Sequence, residues 1–305
     1  MRLAFAGTPD TALPSLAALA ASDHEIVAVV TRPDTRRGRG RTLHPSPVAE
    51  WAAVRGIEVL KPQRADDPDF LAHLASLDID CFPVVAYGAL LKDRALALGT
   101  YGWVNLHFSV LPAWRGAAPV QRSIMAGDEV TGATVFSIVR ELDAGPVLGQ
   151  ITERIRHDDT AGTLLTRLAQ EGSRLLVDVL DHVEELSPIP QPEDGVSYAH
   201  KLTVDDAHVD WTRPAFAVDR QIRGCTPAPG AWTMRDDLRL KLGPVTVVES
   251  TELSPGEIAI SKREVKVGTA TNDVVLGEVQ PHGKKPMQAA DWARGVTWTD
   301  AAAFS

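Results

Sequence analysis

Sulfur is scarce in this chain of 305 residues: there are two cysteines, Cys81 and Cys225, and no Cys-x-x-Cys pair. That argues against a disulfide scaffold or a zinc–thiolate site and fits a reducing cytosol. Long apolar runs are missing as well. Nothing approaches the roughly 20 residues that cross a bilayer, and residues 1–7 are too short an apolar stretch for a secretory signal. A cytoplasmic protein without membrane contact is expected. The nine histidines show no His-Glu-x-x-His or comparable ligand spacing, so no metal is expected. Positive charge is in deficit, with 31 Lys and Arg against 40 Asp and Glu, a net charge of −9. The global field therefore repels polyanions, and any nucleic-acid contact needs a local basic patch.

What remains is ordinary globular composition, 44% hydrophobic and 23% charged, with length enough for two domains. Residues 3–6 read as a strand, after which Leu13, Leu16, Ala17 and Ala20 recur at helical spacing. Residues 26–31 form a continuous β-branched run, as in a strand covered on both faces. Ser46-Pro47 and Asp67-Pro68 each look like an N-cap followed by proline at the first helical position, opening helices through Arg55 and Leu77. Short strands at 57–60, 81–87 and 103–106 complete a parallel-looking series.

This rhythm predicts an α/β fold with an open, mostly parallel sheet of Rossmann type. The first turn, Ala6-Gly7-Thr8-Pro9-Asp10-Thr11, has one glycine where a dinucleotide loop needs three, which disfavours a dehydrogenase. Residues 159–186 form one helical pattern, with Leu164, Leu168, Leu175, Val179 and Val183 on a stripe. Pro188, Pro190 and Pro192 then mark a stiff linker. Short strands at 239–242, 245–248, 257–260, 264–267 and 273–276 suggest a small OB-like β-barrel. The expected division is a catalytic domain over 1–186, a linker over 187–204 and a β domain over 205–305.

The chemistry concentrates between Asn105 and Arg122, where a strand leads through a proline-punctuated loop into a helix near Ala117. In open α/β sheets ligands bind outside the carboxyl ends of strands. Asn105 and His107, two apart on an extended strand end, project to the same side. Both can donate to a carbonyl oxygen as it gains negative charge. Asp143 sits in the turn Asp143-Ala144-Gly145-Pro146, and a carboxylate near His107 would favour the imidazolium. Each residue also has a plainer reading: a solvated histidine, a turn-forming aspartate, an asparagine that caps backbone groups. Spacing alone does not bring Asp143 to His107. Between 32 and 41 lie Arg32, Arg36, Arg37, Arg39 and Arg41, opposed only by Asp34. That run is either a phosphate-contacting loop or a solvated mobile one.

Taken together, Asn105-x-His107-x-Ser109-Val110-Leu111-Pro112, then Trp114-Arg115-Gly116-Ala117-Ala118-Pro119-Val120-Gln121-Arg122 and Asp143, resemble the folate-dependent formyltransferases. Phe5-Ala6-Gly7-Thr8-Pro9-Asp10, Gly38-Arg39-Gly40, Val85-Ala86-Tyr87-Gly88, Tyr198-Ala199-x-Lys201 and Gly283-Lys284-Lys285-Pro286-Met287 follow the same family's order across nearly all of the chain. The trailing β domain and the Arg39 loop place it with the members that act on charged tRNA.

The resemblance implies 10-formyltetrahydrofolate as donor, initiator methionyl-tRNA as acceptor, and a monomer. It implies Asn105, His107 and Asp143 as catalytic residues and Ser109, Val110, Leu111 and Pro112 as the folate segment. It also implies tRNA contact through the loop of Arg36, Arg37, Gly38, Arg39, Gly40 and Arg41, with Lys284 and Lys285 as further cations or a merely solvated hairpin tip. The chain departs from the family in Val110, where leucine is usual, in Thr11, where an aromatic is common, and in a tryptophan-free 226–230 segment. Two rivals stand: a formyltransferase of small amines, and a non-catalytic RNA-binding module on the same fold.

Overall fold

The computed structural model describes residues 1–37, 42–298 and 303–305. The chain divides into two compact units, one of Met1–Gly116, Val130–Arg154 and Leu165–Tyr198, the other of Ala117–Glu129, Ile155–Leu164 and Ala199–Ser305.

The first unit is built on a seven-stranded sheet. In chain order its strands are β1 (Arg2–Gly7), β2 (Glu25–Val30), β3 (Glu58–Leu60), β4 (Cys81–Val85), β5 (Gly102–His107), β6 (Val130–Ser137) and β7 (Val147–Arg154). Their spatial order is β7-β6-β5-β4-β1-β2-β3. The pairs among β1 to β5 are parallel, whereas β6 runs antiparallel to β5 and β7 antiparallel to β6. The parallel strands are covered on both faces, as continuous apolar runs require: Leu3, Ala4, Phe5, Ala6, Ala28, Val29 and Val30 are all fully buried. Alternate residues Ala4, Ala6, Ala28, Val30, Phe82 and Val84 share one cluster with Leu71 and Leu74. Those two leucines lie on the helix Pro68–Ser76, where the Asp67 side chain accepts the N–H of Asp69 and Phe70. The helix Pro47–Val54 starts the same way, with the Ser46 hydroxyl accepting the N–H of Ala49. Both caps stand where the Ser-Pro and Asp-Pro pairs put them.

The long helix covers Ala161–Asp181, five residues short of the expected end. Leu164, Leu168 and Val179 of the stripe are buried, joined by Leu176 and Leu180. After it, the proline-rich segment is not a free spacer. Ile189 pairs with Val147 at the start of β7 through two backbone hydrogen bonds of 2.7 and 2.8 Å.

The second unit holds two four-stranded antiparallel sheets. One orders Trp232–Arg235, Leu238–Leu242, Glu278–Pro281 and Met287–Gln288, and the other Val245–Val247, Val274–Leu276, Val265–Val267 and Ile258–Ile260. Leu240, Leu242, Val265, Val267, Val274, Leu276 and Val279 from both sheets share a core with Val218 and Ile222 of the helix Ala215–Gly224 and with Trp292. The Trp232–Arg235 and Glu278–Pro281 strands were not legible in the sequence. No helix among the described residues is long and apolar enough to cross a membrane.

Candidate active site

The site lies at the carboxyl end of β5, where the parallel part of the sheet meets the antiparallel edge. Asn105 pairs with Phe136 and His107 with Thr134 across β6. Asn105 is half-buried, and its side-chain amide makes no hydrogen bond among the described residues. His107 is only 6% exposed, with Phe136 edge-on at 6.4 Å between ring centroids.

Two groups face the imidazole. Its Nε2 lies 2.8 Å from the carbonyl oxygen of Trp114. A carbonyl only accepts, so Nε2 carries the proton and donates. Its Nδ1 lies 3.7 Å from Oδ2 of Asp143, too far for a hydrogen bond but close enough for a strong Coulomb effect. Burial lowers the His107 pKa from its ordinary value, and this outweighs the Asp143 charge and the Trp114 carbonyl, which both raise it. Burial thus opposes the charge on the ring that the Asp143 carboxylate favours, and Nδ1 is the ring nitrogen left facing that carboxylate.

The carboxylate is fixed from the opposite side. Asp143 Oδ2 accepts the Gly116 N–H at 2.7 Å. Asp143 has a φ of 49° and Trp114 a φ of 63°, the left-handed region that non-glycine residues seldom occupy. Such backbone costs on the order of 1 kcal/mol or more and persists where the surroundings over-determine it. Two residues on, Gly145 has no room for a side chain, since a Cβ there would sit 1.7 Å from the Ser137 carbonyl oxygen.

The segment from Ser109 to Pro112 is a braced loop. The Thr134 hydroxyl donates to the Ser109 carbonyl at 2.7 Å and accepts from Leu111 N at 3.2 Å and Gln150 Nε2 at 2.8 Å. Every hydrogen-bonding site of that hydroxyl is used. Ser109 Oγ donates to the Ala113 carbonyl at 2.6 Å, and Ser109 and Leu111 are buried. Val110 and Pro112 are the half-buried members. Beneath them Gly132 is tightly enclosed, as a Cβ would approach the Ile151 carbonyl oxygen to 1.9 Å and Val110 Cγ2 to 2.8 Å.

Elsewhere the sequence expectations fare differently. Thr35–Arg37 pairs antiparallel with Thr42–His44, setting Arg36 opposite Leu43 and Arg37 opposite Thr42. Gly38, Arg39, Gly40 and Arg41 lie outside the described residues. In the second unit Lys284 and Lys285 are exposed in the turn between Glu278–Pro281 and Met287–Gln288. A cleft beside them is lined by Arg239, Lys241, Gln280 and His282. Arg239 stacks on the Trp232 ring at 3.7 Å. Strand alternation puts Arg239 and Lys241 on one face, a signal present in the sequence as two cations at i and i+2.

A doubly covered α/β sheet with an Asn, His and Asp site at a strand end, followed by a separate antiparallel β unit, defines the class. The formyl transferase family model matches residues 1–180, and the model of the formyl transferase C-terminal domain matches residues 201–297. The chain belongs to the formyl transferase family.

Within it, the methionyl-tRNA formyltransferase of Thermobifida fusca is 62% identical over 307 residues, spanning 100% of this chain and 99% of that protein. The methionyl-tRNA formyltransferase of a Nocardioides species is 60% identical over 301 residues, spanning 97% and 95%. Among solved structures, the N-formyltransferase of Helicobacter canadensis, in complex with folinic acid and dTDP-3-aminofucose, superposes with a TM-score of 0.69 at 17% identity, covering 92% of this chain and 99% of that one. HypX of Aquifex aeolicus, in complex with tetrahydrofolic acid, gives 0.65 at 18% identity, covering 95% of this chain and 46% of that one. Likeness at that identity establishes the fold.

Proposed function

We propose that this enzyme transfers the formyl group of 10-formyltetrahydrofolate to the α-amine of initiator methionyl-tRNA. End-to-end identity to methionyl-tRNA formyltransferases supports the acceptor. Two folate-bound fold neighbours agree with the donor. The observation that carries the chemistry is the buried His107 ring with its Nδ1 turned to the Asp143 carboxylate at 3.7 Å, on the same strand end as the uncommitted Asn105 amide; burial favours the ring's neutral form.

The folate lies along Val110 and Pro112, the half-buried part of a loop whose other polar groups are internally bonded. The methionyl amine attacks the formyl carbon, forming the new C–N bond while the carbonyl pair moves to oxygen. Asn105 donates to that oxyanion. The amine's proton passes to Nδ1 of His107, and the resulting imidazolium lies between the Asp143 carboxylate and the Trp114 carbonyl, both of which stabilise it. The tetrahedral species then breaks its bond to the folate nitrogen, which takes the proton from Nδ1 of His107 and leaves as tetrahydrofolate, returning the ring to its neutral form. The arginine loop with Arg36, Arg37, Arg39 and Arg41, together with Lys284 and Lys285, supplies phosphate contacts that a net charge of −9 cannot provide globally.

The test is formyl transfer from 10-formyltetrahydrofolate to charged initiator tRNA, charged elongator methionine tRNA and small amines such as glycinamide ribonucleotide. Strong preference for the initiator is expected. Comparable turnover of the small amines would overturn the acceptor assignment.

A further inference from the structure

The groups around His107 are held by two loops far apart in sequence, one carrying Trp114, Arg115 and Gly116, the other Asp143. A third segment, after the long helix, joins them. From the pairing of Ile189 with Val147, the chain continues so that the Gln191 amide reaches both loops. Its Oε1 accepts from Arg115 Nη2 at 2.7 Å and Nε at 3.1 Å. Its Nε2 donates to the carbonyl oxygens of Asp143 and Gly145, each at 2.8 Å. An amide offers two lone pairs and two N–H groups, and all four are used. Farther on, Ser197 Oγ accepts the Trp114 N–H at 2.9 Å and the Ser197 carbonyl accepts the Arg115 N–H at 2.9 Å.

These bonds close a ring. Gln191 grips the Arg115 side chain, the next residue's N–H holds the Asp143 carboxylate, and the Asp143 carbonyl returns to Gln191. The ring encloses a residue held in left-handed backbone at a φ of 49°, a conformation that needs outside restraint. A scaffold bond of this kind could lie anywhere in a linker. This one spans the two loops that carry the groups facing the catalytic imidazole.

We propose that Gln191 is a positioning residue that sets the distance from the Asp143 carboxylate to His107. It touches neither substrate nor the imidazole and acts through Asp143. The inference rests on the formyl-transfer reading above. It is separable from that reading, since formyl transfer by the unaltered enzyme tests the one and the variants test the other.

Gln191→Ala removes all four bonds. Gln191→Glu keeps the acceptor for Arg115 and the size of the side chain but deletes both donors to the Asp143 loop. Each variant is expected to lose kcat by about 10- to 100-fold, the cost of misplacing a catalytic group by about an ångström, while KM for folate and for tRNA changes less than threefold. In an Asp143→Asn background the same change at Gln191 is expected to cost less than threefold more, because residues that act as one unit do not add. A kcat within threefold of the unaltered enzyme in Gln191→Glu would overturn the proposal. So would a loss that multiplies fully with that of Asp143→Asn, since Gln191 would then act on something else. If Gln191→Ala fails to fold, Gln191→Glu and its double variant decide the question.

Discussion

At the scale of the residue, the largest consequences attach to Asn105 and His107. Removing one donor to a developing oxyanion costs on the order of 3–4 kcal/mol, or about 100- to 1000-fold in rate. Asn105→Ala is expected to lose turnover by such a factor, and His107→Ala by the roughly 100- to 10,000-fold that a general base contributes, while tRNA binding in a filter assay stays near normal. The pH profile separates the two roles. Because burial lowers the His107 pKa, the ring stays neutral through neutral pH, and the rate falls only on the acid side, below the ordinary imidazole value. Asp143 raises that pKa, so Asp143→Asn shifts the acid limb to lower pH as well as reducing the plateau. Single-turnover rates between about pH 5 and 8 read this directly. An acid limb that moves upward in Asp143→Asn would remove the carboxylate from its assigned role. Stability carries the same sign. The unfolded chain protonates this histidine at a higher pH than the folded one, so stability declines as pH falls between the two values.

Elements show where the sequence was legible and why it then went quiet. The caps at Ser46 and Asp67 were readable because capping is local: side chain and bonded N–H lie within three residues. The buried strands announced themselves as continuous apolar runs. Asn105 and His107 were readable as a pair because alternation in a strand is also local. The approach of Asp143 to His107 was not, since it depends on β6 returning antiparallel along β5. Gln191 was invisible for a similar reason. In a proline-rich stretch without periodicity, nothing marks which side chain turns back onto the sheet. The β6–β7 pair bears a test of its own. Gly132→Ala sets a methyl against the Ile151 carbonyl and Val110, and overpacking of this kind costs about 1–3 kcal/mol. A fall in Tm of roughly 5–10 °C is expected, with a raised KM for folate because Val110 is displaced. Unchanged melting and KM would show that the strands shift freely.

For the whole molecule the question is how an acidic protein engages a polyanion. The net charge of −9 forbids long-range attraction of any strength, so affinity has to come from short-range cations. Arg39→Ala is expected to raise KM for tRNA several-fold, leave kcat near normal, and reduce the slope of log affinity against log salt by about one. A slope that does not change would assign Arg39 no phosphate. Lys284→Ala and Lys285→Ala belong to the same comparison, with Arg239 and Lys241 beside them in the cleft of the second unit.

The Trp114 carbonyl has one further effect. By claiming Nε2 of His107, it permits a single tautomer of the resting ring, so the two imidazole nitrogens should give well-separated resonances in a ¹⁵N spectrum, one pyrrole-like and one pyridine-like. Reagents that alkylate imidazole should accordingly mark only one ring position.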